Sequence, residues 1–380
     1  MLSLSLHLPA SRHAELVSAS TLKLFFFFPK CLQQDFLIIR LIIEYPIYLG
    51  IINMSKNRTV LSLKNVSIDY QVREGLVKSV DGISFDVERE KITALIGESG
   101  SGKSTLTGAI LRILAPNGKI SPNSSILFEG KDILTMKENE VRDFRWKKAS
   151  MVFQAAQNAL NPTLKIKTQI LDTVIDHGEN PEDEKFRNRL SELFAMVRLD
   201  PSRVLNAYPH ELSGGMRQRV IIALSMILEP EFIILDEPTT ALDVITQSYI
   251  FDILGEIHNK TGLTMIFITH DMSAVAKLAD RIGVMYAGKI FELADAGELF
   301  ENPLHPYTQG LLNSIPSIDG DVVKREPVPG QPPDLINKPS GCVFHPRCAL
   351  AEAICMESEP EFIDLGSSHF VACHKRKMLG

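Results

Sequence analysis

An α/β fold follows from three features of the sequence. A compact apolar strand at Ile92–Ile96 runs through a glycine-rich turn into a helical stretch over residues 104–114, a strand, loop and helix unit. Two further continuous apolar runs, residues 232–235 and Thr264–Ile268, are separated by a helical segment, the pattern of buried parallel strands with a crossover helix. Short alternating runs over residues 60–85 predict an antiparallel β layer. Its inward positions are Leu61, Leu63, Val66, Val80, Ile83 and Phe85, and it turns at Glu74-Gly75.

Each region then follows in order. Residues 155–212 are polar, with helical spacing and little strand character, and are expected to form an inserted helical subdomain. From about residue 303 the composition turns proline-rich, with Pro327, Pro329, Pro332 and Pro333, and a cysteine-containing tail ends the chain. No internal repeat is present, so a single nucleotide domain is expected. At 380 residues, 45% hydrophobic and 23% charged, the chain can bury a large core. A net charge of −6 and a pI near 6.0 give no basic stripe and argue against nucleic acid as a partner.

The first residues stand apart. Phe25 to Phe28 and the run over residues 36–52 are apolar, but Arg40, Glu44 and Pro46 interrupt the second, so it is not expected to span a membrane. No signal-peptide pattern is clear. Met54 precedes a polar Ser-Lys-Asn-Arg and then the first strand pattern. Residues 1–53 therefore read as an upstream extension, with a membrane-anchoring arm as the alternative. The domain boundaries drawn on this basis are 1–53, 54–302 and 303–380.

The segment Gly97-Glu98-Ser99-Gly100-Ser101-Gly102-Lys103-Ser104 lies between the strand and the helix, as a phosphate-binding loop requires. Its glycines let backbone N–H groups turn toward phosphate oxygens, and the following helix adds its positive end. Lys103 is expected on the β- and γ-phosphates of ATP and Ser104 on Mg²⁺, with Thr105 beside it. About 130 residues later the 232–235 strand ends in Asp236-Glu237. Asp236 suits the Mg²⁺ shell and Glu237 suits polarisation of the attacking water. This defines a P-loop NTPase core.

Leu212-Ser213-Gly214-Gly215-Met216-Arg217-Gln218-Arg219 resembles the signature segment of ATP-binding cassette proteins, with Met216 where the family has Gln. The resemblance implies that Ser213, Gly214 and Gly215 close on ATP held by a second cassette in a head-to-tail dimer. It also implies roles for residues that stand in family order. Gln154 senses Mg²⁺ and the water and links to the helical subdomain, although Ala155-Ala156 follow it where Asp-Pro is common. Asp243, in Thr240-Ala241-Leu242-Asp243, touches the opposite subunit, and His270 contacts the γ-phosphate. Tyr70 either stacks on adenine or packs in its strand.

His305-Pro306-Tyr307-Thr308, Pro329-Gly330-Gln331-Pro332-Pro333 and Gly341-Cys342-Val343-Phe344-His345-Pro346-Arg347-Cys348 resemble the tail of the oligopeptide, dipeptide and nickel importer ATPases. Ala349 departs from the Pro common there. Cys342, Cys348, Cys355 and Cys373 are separated by five, six and seventeen residues, without the close Cys-x₂-Cys pairs of common zinc sites. A reducing compartment argues against disulfides. Resemblance to relatives with this tail implies a 4Fe-4S cluster, with free packing thiols as the equal alternative.

The resemblance implies an ATP-hydrolysing subunit of a di- or oligopeptide importer, peripheral on the cytoplasmic face of the inner membrane. Its implied partners are integral-membrane permeases, a second and different cassette subunit and, indirectly, an extracytoplasmic solute-binding protein. Nickel import is the alternative cargo, and a soluble non-transport cassette ATPase the alternative of another class.

Overall fold

The computed structural model describes residues 58–314 and 328–375; the readings placed on residues 1–53 lie outside them. β1 (Thr59–Val72) and β2 (Gly75–Glu88) pair antiparallel around the expected turn. All six inward candidates are buried. β3 (Ile92–Ile96) leads through the glycine loop into α1 (Lys103–Ile110). This helix is shorter than predicted: Arg112 adopts a left-handed φ of 53°, and Ile113 N–H turns back to the Gly108 carbonyl, a helix-ending geometry.

β4 (Gly118–Ile120), β5 (Ser125–Phe128) and β6 (Lys131–Asp132) complete the antiparallel layer, in which β1 pairs with β2, β4 and β5. After α2 (Glu138–Phe144), β7 (Ala149–Val152) enters the second sheet. Residues 155–212 hold no strand and contain α3 (Ile166–Asp176), α4 (Glu184–Met196) and α5 (Pro201–Val204), in line with the helical expectation.

α6 (Gly214–Ser225) follows, then β8 (Phe232–Asp236), α7 (Val244–Thr261), β9 (Thr264–Ile268), α8 (Met272–Leu278) and the hairpin β10 (Arg281–Tyr286) with β11 (Lys289–Asp295). The second sheet runs β12-β13-β11-β10-β3-β9-β8-β7 and is parallel from β10 to β7. Its central strands are buried on both faces. Phe232 and Ile234 join the apolar cluster under the antiparallel layer, while Ile233 and Leu235 join the cluster on the helical side. That double burial is why β8 reads as an unbroken apolar run instead of an alternation.

The tail is built into the same sheet. After α9 (Ala296–Glu301), α10 (Pro306–Asn313) and α11 (Ala353–Glu357), β12 (Phe362–Asp364) pairs with β13 (Phe370–Ala372), which pairs antiparallel with β11. Strands β4–β7 and β10–β13 had no counterpart among the sequence expectations. Among the described residues, no helix is long and apolar enough to cross a membrane.

Candidate active site

Four adjacent parallel strands, β3, β9, β8 and β7, end at one edge of the sheet. In open α/β sheets, ligands bind beyond the carboxyl ends of the strands. Here those ends carry the glycine loop, His270, Asp236-Glu237 and Gln154.

The loop is pressed against its surroundings at two glycines. A Cβ on Gly97 would lie 2.0 Å from the Met285 carbonyl oxygen, and one on Gly102, at φ +101°, 2.3 Å from that of Ser79. No side chain fits either place. Lys103 is 6% exposed, and its ammonium donates to the carbonyls of Gly97 (2.8 Å) and Glu98 (2.9 Å) and to Ser101 Oγ (3.1 Å). Burial pulls its pKa below the usual lysine value, against the opposing charges of Glu237, Asp236 and Glu98. Ser99, Gly100 and Ser104 are exposed, while Thr105 accepts a hydrogen bond from Ser79 Oγ at 3.0 Å. Glu98 differs from the rest of the loop: its amide N–H donates to Tyr307 Oη (3.0 Å) and its carboxylate is bound by Arg347, both from the tail.

Ser104 Oγ donates to Asp236 Oδ1 at 3.1 Å, and Asp236 is only 5% exposed. Burial raises its pKa, opposed by the Ser104 hydrogen bond. A buried carboxylate beside a hydroxyl is an oxygen donor pair that fits Mg²⁺. Glu237 is the hub of the site. Its Oε2 accepts from Gln154 Nε2 (2.9 Å) and Thr240 Oγ1 (3.0 Å), and Oε1 lies 3.4 Å from His270 Nδ1. The structure therefore brings Gln154, Glu237 and His270 together, and sets Asp236 beside Ser104.

Ser213 and Asp243 hydrogen-bond within their own helix starts. Ser213 Oγ accepts from Met216 N–H at the start of α6 (3.3 Å), and Asp243 Oδ1 from Thr246 N–H at the start of α7 (2.9 Å). The two starts touch: a Cβ on Gly215 would come within 2.6 Å of Thr246 Cγ2, and one on Gly214 within 3.1 Å of Gln157 Oε1. Tyr70 is half-buried, with its ring against Gly118 of β4 and the apolar cluster of the antiparallel layer.

Of the four tail cysteines, Cys342, Cys355 and Cys373 are buried and Cys348 is partly so. Burial pushes the Cys342 thiol up to about 11, with Cys355, Cys373 and Cys348 adding to the rise. Four thiols are a suitable donor set for an iron–sulfur cluster. Yet among the described residues no group of three or more His, Cys, Asp or Glu is gathered to hold a metal ion.

The residues that sequence reasoning missed lie in the tail. Arg347 and Tyr307 fall inside segments singled out for their resemblance, but nothing in their spacing joins them to a loop more than 200 positions earlier.

One chain thus carries a phosphate loop beside the Gln154–Glu237 contact and, separately, a serine-glycine helix start at α6, the pair of features expected of an ATP-binding cassette. The comparisons agree. The family model for the ABC transporter matches residues 80–240, and that for the oligopeptide/dipeptide transporter C-terminal region matches residues 291–355. The chain is 48% identical over 315 residues to the dipeptide transport ATP-binding protein DppD of Caldanaerobacter subterraneus, covering 83% of this chain and 96% of that one. It is 37% identical over 316 residues to the oligopeptide transport ATP-binding protein OppD of Escherichia coli, covering 83% and 93%. Among solved structures, the dimeric bacterial cassette MJ0796 matches at TM-score 0.55 and 26% identity, over 62% of this chain and 98% of that one. The chain belongs to the ABC transporter family of ATP-binding proteins, with the C-terminal region of its oligopeptide/dipeptide branch.

Proposed function

We propose that the chain is the ATP-hydrolysing subunit of a membrane importer and couples hydrolysis to uptake of di- or oligopeptides. The observation that carries the reading is the convergence of Gln154, Thr240 and His270 on the Glu237 carboxylate, beside the Ser104–Asp236 pair. Relatives named as dipeptide and oligopeptide transport proteins, and the C-terminal region at residues 291–355, support the cargo class.

In this reading the loop amides and Lys103 hold the β- and γ-phosphates, with Lys103 exchanging its carbonyl partners for phosphate oxygens. Mg²⁺ held by Ser104 and Asp236, with Gln154 nearby, would supply neutralisation of charge on the phosphate oxygens. Glu237 polarises the attacking water, and Gln154, Thr240 and His270 hold its carboxylate in place. Gln154 opens the path to the helical segment, so a change at the γ-phosphate is passed toward the permease. Tyr70 is assigned to the adenine.

Ser213-Gly214-Gly215 and Asp243 are assigned to ATP and contacts of a second, related cassette. Val244 and Ile245 support this: they follow Asp243 and are 79% and 84% exposed. The protein works on the cytoplasmic face of the cell membrane, on permease subunits fed by an external solute-binding protein. The cargo is tested by uptake of labelled dipeptides, oligopeptides and nickel in cells lacking this chain. Restored peptide uptake is expected on complementation; selective rescue of nickel uptake would overturn the peptide assignment.

The four cysteines are assigned to an iron–sulfur cluster on their donor type alone, with packing thiols as the equal alternative. No mechanistic step is routed through it. Anaerobic purification is expected to yield iron and acid-labile sulfide that Cys342→Ser removes; metal-free protein of full ATPase activity would leave the thiols as packing groups.

A further inference from the structure

We infer that the C-terminal region is a clamp on the phosphate loop, with Arg347 as a positioning residue that acts on ATP through Glu98. The inference rests on the ATPase reading above and adds to it a function for the tail at the nucleotide site.

Every polar group of Glu98 is committed. Its carbonyl accepts from Lys103 Nζ (2.9 Å) and from Ser101 N–H (3.2 Å), within the loop itself. Its amide N–H donates to Tyr307 Oη, and both carboxylate oxygens accept from Arg347, Oε2 at 2.7 Å and Oε1 at 2.9 Å. The loop thus supplies one anchor and the tail supplies the other two. Fork-to-fork pairing of guanidinium and carboxylate fixes orientation as well as distance.

The clamp is itself rigid. Arg347 is 8% exposed and Tyr307 fully buried. The remaining Arg347 donors go to Tyr286 Oη (3.1 Å) and the carbonyls of Pro329 (2.6 Å) and Val328 (3.5 Å), and its guanidinium lies 5.5 Å from the Tyr286 ring centre. A surface ion pair would be worth little. This pair is held by a packed aromatic group instead, since the Tyr286 ring meets Tyr307 at 4.7 Å and Phe344 at 5.3 Å. Glu98 also carries the carbonyl that parks Lys103, so a shift of Glu98 displaces the lysine that must reach the phosphates.

The test uses the full chain and reads ATP affinity, KM and kcat beside thermal melting. Arg347→Gln and Glu98→Gln are each expected to raise the Kd and KM for ATP on the order of tenfold. Their kcat should change less, because a misplaced loop weakens ground-state and transition-state binding alike. The double variant is expected to be no worse than the poorer single one, since both break one contact. Arg347→Lys should recover only part of the affinity, because an ammonium cannot form the fork. If Arg347→Gln does not fold, Tyr307→Phe removes a single acceptor from the Glu98 amide and is expected to raise the Kd in the same direction.

Folded variants that melt lower but keep the wild-type Kd and KM would overturn the clamp and leave the tail a stabilising appendage. Multiplying effects in the double variant would also overturn it, by showing that Arg347 acts by another route. A wild-type chain that binds no ATP would sink the ATPase reading and the clamp together.

Discussion

Glu237 sits in a strained place. Its φ of 45° is left-handed, as are those of Ala155 (53°) and Ala241 (67°) on either side of the site. Such backbone costs roughly 1–2 kcal/mol per residue outside glycine. The strain is held by the Glu237 N–H bond to the Ile268 carbonyl (2.9 Å) and by the three side chains gripping its carboxylate. In the proposed function Glu237→Gln keeps the size of the side chain but removes the carboxylate that polarises the water. Hydrolysis is expected to fall by about 10²–10⁴-fold, with ATP binding retained because Lys103 and the loop are untouched; parallel ATPase and nucleotide-binding assays check both. At this scale Asp236 and Glu237 were legible because they close a continuous apolar run, whereas Gln154 and His270 were singled out only by their resemblance to family positions, and the structure sets both beside Glu237. Arg347 was not legible. It lies 249 residues from Glu98, in a proline-rich tail whose pattern carries no period.

At the scale of elements, β11 holds the tail by a buried charge set among the apolar residues Ile290, Phe291, Leu293 and Ala294. Glu292 is 0% exposed. Its carboxylate accepts from Leu304 N–H (2.7 Å) and His305 N–H (3.0 Å), just before α10, and from His369 Nε2 (2.7 Å), just before β13. Burial lowers the His369 pKa, but the Glu292 carboxylate and then Glu298 outweigh it, and the net shift is upward. A raised histidine stabilises the fold fully below its unfolded value of about 6.5, and the contribution is lost as pH rises through the raised folded value. His369→Gln is therefore expected to cost on the order of 1–3 kcal/mol near pH 6 and less near pH 8.5, read by denaturant unfolding at the two values. His305 works in the opposite sense. Burial pushes it down to about 3, so its share of stability is fully present above about pH 6.5 and is lost as pH falls from there toward about 3. None of this was legible, since β12 and β13 have three residues each and a short strand leaves no readable alternation.

Across the whole molecule, the parallel strands explain why the phosphate loop, Asp236-Glu237, Gln154 and His270 meet although they span residues 97–270. The near-continuous apolar runs of β3, β8 and β9 announced that sheet in the sequence, because strands buried on both faces are apolar at most positions instead of alternating. The antiparallel layer was legible at β1 and β2 for the opposite reason, alternation. The start of α6 hydrogen-bonds within its own helix, and in the proposed function it is assigned to the ATP of a second cassette. The most direct measurement is peptide uptake together with ATP hydrolysis in cells or vesicles carrying the complete transporter, with either wild-type chain or Glu237→Gln. The account predicts that the wild-type chain supports both and that the variant loses both while still assembling with the permease. Peptide uptake that continues in the variant while its hydrolysis is abolished would contradict it.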